Sequence, residues 1–202
     1  SGVVVSEDGL VFTNHHCGFS SIQQHSSVEH DYLKDGFFAR SLEEELPNPE
    51  LYVRFLLRTE DVTKRVLSAA RHAKTETERR VAVDSIMNVI SMEVSEKDST
   101  LTGIVDAYYA GNEFWLSVYR DYNDVRLVFA PPSSVGKFGW DTDNWMWPRH
   151  TGDFSVFRVY AGPDNRPADY SPENRPYKAE KFLKEYNVEA PTFEDYKQMI
   201  DT

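Results

Sequence analysis

The chain has 202 residues, of which 40% are hydrophobic, and this is enough to bury the core of one domain, with or without an elaboration. It carries 33 acidic and 22 basic residues, and the net charge of -11 argues against nucleic acid or an anionic membrane surface as a partner. Every apolar run is shorter than the roughly 18 residues that a membrane-spanning helix needs, so we expect no such helix.

The cysteine count and the first residues do not identify a cellular compartment. Cys17 is the only cysteine in the sequence, so no disulfide can form within it. The sequence opens on Ser1 with neither an initiator methionine nor a charged-then-apolar leader. We interpret this start as the sign of a processed or shortened chain.

Two short apolar runs, 3–5 and 10–13, predict a β-hairpin at the start of the chain. Asp8-Gly9 lies between them and is typical of a tight turn, because glycine readily adopts a positive φ. Residues 14–18, Asn-His-His-Cys-Gly, therefore follow a strand end. Functional residues often lie at such ends, held by a rigid scaffold.

A helical insertion is predicted at about 20–98. Residues 20–39 indicate a short mixed helix that ends before Pro47 and Pro49, and a strand is expected at 51–58. Two helices follow, with Asp61 as a cap and a break at 75–77. Their apolar residues recur at helical spacing: Val62, Val66, Ala69 and Ala73, then Val83, Ile86, Met87, Ile90 and Val94.

The second half of the chain is predicted to be mainly β. β-Branched and aromatic residues at 104–110, 114–122 and 125–129 predict a meander, and 154–160 predicts a further strand. The segment 131–150 is rich in proline and glycine and holds three of the four tryptophans, which predicts a long functional loop. An extended connection over 162–176 and a helix over 192–200 are expected to follow.

The pair His15-His16 is the first candidate for chemistry. A histidine fixed just past a strand can act as a general base, because its ordinary pKa of about 6.5 leaves a neutral fraction at pH 7. Histidine pairs also occur in solvated turns and as polar core residues. His15, His16 and Cys17 are all metal-ligand types, so a metal site is a further alternative.

Asp153 is the second candidate, at the start of the apolar strand expected at 154–160. A carboxylate in that position is partly buried and can accept a hydrogen bond from the Nδ1 proton of an imidazole. Such a carboxylate selects the tautomer of a catalytic histidine and stabilises the imidazolium that forms in acyl transfer. An ordinary strand-end or turn aspartate would fit the same pattern.

The loop at 136–150 combines carboxylates, an asparagine amide and aromatic rings. This set suits a site for a positively charged amine with an apolar neighbour, and it also fits a surface loop held by buried tryptophans. A serine nucleophile motif is missing, because the sequence contains no Gly-Asp-Ser-Gly or Gly-Asn-Ser-Gly. The only Gly-x-Ser, Gly18-Phe19-Ser20, is followed by serine rather than glycine.

Three segments together resemble the bacterial dipeptidyl-peptidase 7 and 11 family, serine exopeptidases that release dipeptides from peptide N-termini. They are GLVFTNHHCG at 9–18, LEEELP at 42–47 and DNWMWPRHTGDFSVFRVY at 143–160. The resemblance covers about residues 3–177. The sequence departs from it over 181–202, where the family pattern leads one to expect a further barrel strand that ends in a Gly-Tyr-Pro-Gly type turn.

The resemblance implies a mainly β fold with a helical insertion (α+β), the first barrel of a chymotrypsin-like double β-barrel peptidase. Residues 1–180 would form the N-terminal part of the catalytic domain, with the insertion at about 20–98. Residues 181–202 would be a C-terminal tail of unassigned structure.

Site residues follow from the same resemblance. It implies that His16 is the general base and that Asp153 orients it. Asn144 and Trp145 would bind the free amino group of the substrate, and Trp145 would also form a wall of the adjacent subsite. The nucleophilic serine and the preference for the residue before the cleaved bond would come from a later segment, so the chain by itself is expected to be inactive. No cofactor and no metal are implied.

The implied partners are peptides with a free N-terminus, without nucleic acid or membrane, and the full-length enzyme is compatible with a homodimer. A periplasmic or secreted location is implied as well. Two alternatives are kept: a non-catalytic peptide-binding module on the same scaffold, and the metal site at His15, His16 and Cys17.

Overall fold

A computed structural model describes residues 2–136 and 152–179 of the chain. These residues belong to two compact units. The first unit takes its described residues from Ser1–Leu51 and Asn123–Thr202, and the second unit is Tyr52–Tyr122. None of the helices within the described ranges combines the length and the apolar composition that crossing a membrane requires.

The described strands and helices are labelled in chain order. The strands are β1 Gly2–Val4, β2 Leu10–Thr13, β3 Phe37–Phe38, β4 Leu46–Pro47, β5 Val53–Asp61, β6 Leu101–Tyr108, β7 Glu113–Tyr122, β8 Asp124–Ala130, β9 Ser155–Ala161 and β10 Arg175–Pro176. The helices are α1 His15–His25, α2 Tyr32–Asp35, α3 Thr63–Ala69, α4 Glu76–Lys97 and α5 Ser133–Gly136.

The first unit is built on an antiparallel sheet in the order β1-β2-β9-β8-β3, with β10 paired to β9 and β4 paired to β8. In the pairing of β2 with β9, Leu10 lies opposite Arg158 and Thr13 lies opposite Ser155. The last residue of β2 is therefore paired with the first residue of β9. This register brings the residues just after β2 close to the residues just before β9.

The sheet of the first unit is open among the described strands. β1 and β3 stand at the two ends of its strand path and are not paired with each other. A barrel closes only when the first and last strands pair, so the closed barrel expected from the sequence is not seen in residues 2–136 and 152–179. The broader expectation, antiparallel β structure combined with helices, is confirmed.

β9 is the central strand of this sheet and is buried on both faces. Val156, Phe157, Val159 and Tyr160 are all 6% exposed or less, which accounts for its nearly continuous apolar sequence. Gly18 of α1 allows the helix to approach this strand, because a Cβ at that position would lie 3.1 Å from the ring of Phe157. The helix that follows β2 is thus packed tightly against β9.

Two buried ion pairs hold the other end of the sheet. Glu45 lies in the 42–47 segment and accepts hydrogen bonds from Arg158 Nε at 2.8 Å and from the Tyr160 hydroxyl at 2.9 Å. Burial and this hydrogen bond raise the pKa of Tyr160 far above its ordinary value, so the hydroxyl remains a donor. Asp124 accepts two hydrogen bonds from Arg126, whose guanidinium lies 3.6 Å from the ring centroid of Tyr160.

The second unit is a three-stranded antiparallel sheet in the order β5-β7-β6, packed against α3 and α4. Alternate residues of β7 face the helices, as expected for a strand with one buried side. The apolar core consists of Val66, Ile90, Val94, Val105, Phe114, Leu116 and Val118. Thr75 caps α4 by accepting a hydrogen bond from the backbone N–H of Glu78 at 3.1 Å.

Most secondary structure predicted from the sequence is confirmed, and three details were wrong. The hairpin, the two helices, the strands of the second half and the strand at 154–160 are present. The predicted meander is not, because β6 and β7 pair in the sheet of the second unit whereas β8 pairs with β9 in the sheet of the first unit. The helix predicted from residue 20 begins earlier, at His15, so the histidine pair lies within its first turn. Asp61 is the last residue of β5 rather than a helix cap, although its carboxylate still accepts a hydrogen bond from Thr63 N at 2.9 Å. The helix predicted at 192–200 lies outside the described residues.

The hairpin turn gives a test of this fold. Gly9 has a φ of +71°, and a Cβ there would lie 2.8 Å from the carbonyl oxygen of Val159. Gly111 also has a positive φ, +84°, but its Cβ would meet nothing closer than 4.0 Å. Gly9→Ala should therefore lower the free energy of unfolding by at least about 1 kcal/mol more than Gly111→Ala, which carries the conformational strain without the contact. Native-state hydrogen exchange measures the two units separately; equal losses would contradict the tight approach at Gly9.

Candidate active site

The register of β2 with β9 brings His16 and Asp153 together. His16 Nδ1 lies 3.2 Å from Asp153 Oδ2, and the backbone N–H of His16 donates to Asp153 Oδ1 at 3.3 Å. The side chain of His16 is 64% exposed, whereas that of Asp153 is 12% exposed. The carboxylate is therefore partly buried behind an imidazole whose ring stays accessible from solvent.

Asn14 completes the surroundings of this carboxylate. Its side-chain amide donates to Asp153 Oδ2 at 3.0 Å and to the Asp153 backbone carbonyl oxygen at 3.5 Å. Asp153 thus accepts hydrogen bonds from Asn14, which directly precedes α1, and from His16 in the first turn of α1. Sequence reasoning did not identify Asn14, because its partner lies 139 positions away and local sequence carries no signal for that pairing.

The electrostatic balance at Asp153 favours the ionised form. Burial acts to raise the pKa of its carboxyl, but the hydrogen bonds from Asn14 and from the His16 backbone, with the attraction of the His16 ring, outweigh burial and lower the pKa. The N-terminus of α1 also carries a partial positive charge, which favours an anion there. An ionised Asp153 accepts a hydrogen bond from Nδ1–H of His16 and so favours the tautomer that leaves Nε2 able to take a proton.

His15 has a different environment from its neighbour. It is 2% exposed, and its two ring nitrogens lie 3.3 Å from Ser155 Oγ and 3.4 Å from Ser133 Oγ. Burial lowers the pKa of His15, the charge of Asp153 partly offsets this, and His16 adds to the lowering. His15 is therefore a neutral core histidine that connects α1 to β9 and α5. The sequence alone assigned the base to His16 by resemblance, and the structure separates the two histidines by burial.

Three further contacts hold the segment that carries Asp153. Phe154 stacks between Phe12 and Phe129, with ring centroids 5.8 and 5.3 Å away. The backbone N–H of Gly152 donates to the carbonyl of Val135 at 2.9 Å. The backbone on both sides of Asp153 is thus tied to neighbouring elements.

The metal alternative finds no support in the described part of the chain. No group of three His, Cys, Asp or Glu residues there is arranged to hold an ion. His15 and His16 are consecutive in α1 and bind different partners, and Cys17 is exposed. The three residues proposed as ligands therefore do not act as one set.

Asn144 and Trp145, predicted to bind the amino group of the substrate, lie outside the described residues. Most of the predicted loop at 136–150 does so as well. The described geometry consequently covers His16 and Asp153, the predicted base and its predicted orienting carboxylate. That pair is the set of groups that activates a hydroxyl nucleophile in acyl transfer.

The pKa shift of Asp153 predicts a pH dependence of stability. Because folding lowers this pKa, the carboxylate contributes stability above its unfolded pKa of about 3.9, and the contribution disappears as the pH falls through the folded pKa. Asp153→Ala should cost about 1–2 kcal/mol at pH 7, through the lost cap and hydrogen bonds, and much less near pH 2. Urea unfolding at both pH values measures this difference. Asp106→Ala, at an exposed strand position, is the control, and a cost that is the same at both pH values would contradict the assignment.

Comparison with known proteins finds dipeptidyl-peptidases that are similar to this chain. A curated dipeptidyl-peptidase 7 of Porphyromonas endodontalis is 57% identical over 178 residues, which are 88% of this chain and 22% of that protein. An Asp/Glu-specific dipeptidyl-peptidase of Capnocytophaga gingivalis is 52% identical over 184 residues, 91% of this chain and 26% of that protein. The chain thus spans about a quarter of the length of the curated relatives it matches.

Solved structures of a dipeptidyl-peptidase are similar to this chain as well. The crystal structure of Porphyromonas endodontalis DPP11 in complex with the dipeptide Arg-Glu superposes with a TM-score of 0.76 at 45% identity, covering 88% of this chain and 27% of that one. The family model described as Peptidase S46 matches residues 1–196. The chain therefore belongs to the peptidase S46 family.

Proposed function

We propose that this chain supplies the general base and the orienting carboxylate of a serine-type dipeptidyl peptidase. The observation that carries the proposal is the 3.2 Å contact between His16 Nδ1 and an Asp153 carboxylate held ionised at a helix start. Members of the family with high identity to this chain are named dipeptidyl-peptidases. The full-length enzyme that contains this sequence would provide the serine from a later segment.

In the proposed reaction, a serine hydroxyl attacks the carbonyl of the second peptide bond of the substrate. His16 takes the hydroxyl proton at Nε2 as the bond to carbon forms, and Asp153 stabilises the resulting imidazolium through Nδ1. His16 then gives the proton to the leaving amine as the peptide bond breaks. Water hydrolyses the acyl-enzyme by the same proton path and releases the dipeptide.

The wider setting is part of the same proposal. The described sheet would belong to the first barrel of a two-barrel, chymotrypsin-like catalytic domain, closed by parts of the protein outside residues 2–136 and 152–179. Substrates would be peptides with a free N-terminus, because Asn144 and Trp145 match the positions that bind the amino group in the resembling family. The enzyme would work in the periplasm or after secretion.

The catalytic pair can be tested in the full-length enzyme. His16→Ala and Asp153→Asn should each lower kcat for dipeptide release by about 10³- to 10⁴-fold, because either change removes proton transfer in the correct tautomer. His72→Ala, at an exposed histidine of the second unit, is the matched control and should keep kcat. Full activity of His16→Ala would contradict the proposal. A non-catalytic peptide-binding module would show no turnover and no reaction with fluorophosphonate serine reagents even before substitution.

Asn144→Ala tests the exopeptidase part of the proposal. A hydrogen bond to a charged group is worth about 1.5–3 kcal/mol, so kcat/KM for peptides with a free N-terminus should fall about ten- to a hundredfold. Peptides with a blocked N-terminus should be poor substrates of the parent enzyme and should change little. The matched control is Asn112→Ala, whose amide donates to the Tyr109 carbonyl in the second unit. Equal losses on free and blocked peptides would show that Asn144 supports the loop and does not bind the amine.

A further inference from the structure

Asn14 occupies the N-cap position of α1, but its side chain does not cap the helix. Its backbone has extended angles, φ -66° and ψ 148°, and its carbonyl accepts from the N–H of Cys17 at 3.0 Å. Asparagine at an N-cap usually accepts a hydrogen bond from one of the next two or three backbone N–H groups. The Asn14 side chain makes no such bond. Its amide donates a hydrogen bond to the Asp153 carboxylate instead.

Asp153 takes over the capping role that Asn14 leaves open. Its Oδ1 accepts the N–H of His16, the second residue of the helix, at 3.3 Å. Its Oδ2 receives both the imidazole of His16 and the amide of Asn14, at 3.2 and 3.0 Å. Each oxygen is therefore assigned to particular donors, and rotation of the carboxylate would break all three contacts together.

We propose that Asn14 is a positioning residue for the catalytic pair, whose amide clamps the Asp153 carboxylate against the first turn of α1 so that Oδ2 faces Nδ1 of His16. This inference rests on the proposed function. The amide also reaches the Asp153 backbone carbonyl at 3.5 Å, so it holds the main chain and the side chain of the same residue. The titratable groups that face Asp153 from α1 are His16 and the buried His15.

Two substitutions distinguish positioning from ordinary capping. Asparagine and aspartate are about equally good N-caps, whereas alanine is poor, so a capping role predicts that Asn14→Asp is neutral and that Asn14→Ala is harmful. A positioning role predicts the reverse order. Asn14→Ala removes one donor, while Asn14→Asp keeps the shape but sets a second carboxylate against Asp153.

The first measurement uses the 202-residue chain and needs no activity. Carboxyl ¹³C NMR follows the titration of Asp153, and its midpoint should move to higher pH in Asn14→Ala and further in Asn14→Asp. Asn112→Asp, at an amide that donates to the Tyr109 carbonyl, is the matched control and should leave the midpoint in place. A wild-type midpoint in Asn14→Asp would overturn the proposal.

The second measurement uses the full-length enzyme. At neutral pH, Asn14→Ala should lower kcat about ten- to a hundredfold with little change in KM, and Asn14→Asp should lower it more. The acidic limb of the kcat profile should move to higher pH in the same order. Unchanged kcat in both variants would overturn the positioning role. If instead His16→Ala retained activity, the proposed function would fail, and the NMR midpoints alone would still decide whether Asn14 clamps Asp153.

Discussion

The Asp153 carboxylate at the start of α1 is the interaction on which the site depends. It accepts hydrogen bonds from the backbone and ring of His16 and from the amide of Asn14. The first bond caps the start of α1, the second orients the imidazole, and the three bonds together hold the carboxylate in one orientation. Burial would otherwise favour its protonated form, which is a weaker acceptor for Nδ1–H and has no charge to stabilise an imidazolium. The three donors and the helix dipole keep the carboxylate charged, and the proposed role of His16 as a general base requires that charge.

The fold brings Asn14 and His16 next to Asp153, although they lie 139 and 137 positions apart from it in the sequence. The pairing of Thr13 with Ser155 sets the level at which β2 ends and β9 begins, and a slip of one residue would turn every side chain of β2 to the other face. The register is held at the other end of β9 by Arg158 and Tyr160, which bind the buried Glu45. Glu45 thus joins the LEEELP segment to the FRVY segment of β9, the strand that follows Asp153.

Sequence reasoning predicted what local patterns determine. The hairpin follows from Asp8-Gly9, and the helices and individual strands follow from apolar periodicity, since each depends on neighbours a few positions apart. The division of β7 and β8 between two sheets depends on distant partners and was not predicted. The start of α1 at His15 was missed because its cap is a carboxylate from a distant segment rather than a neighbouring side chain. Asn14 was missed for the same reason, because its hydrogen-bond partner Asp153 lies 139 positions away in the sequence. The resemblance pointed to His16 and Asp153, but the contact between their side chains is a tertiary interaction that only the structure shows.

The two histidines at the start of α1 have different environments. Successive residues of an α-helix are rotated by about 100°, so two adjacent side chains cannot share one environment. His15 enters the core, where burial keeps it neutral between Ser133 and Ser155, and it ties the helix to β9. His16 is thereby turned toward Asp153 with most of its ring exposed. His15 thus anchors the start of α1 to its neighbours, and the same helix start directs His16, the proposed base, toward Asp153.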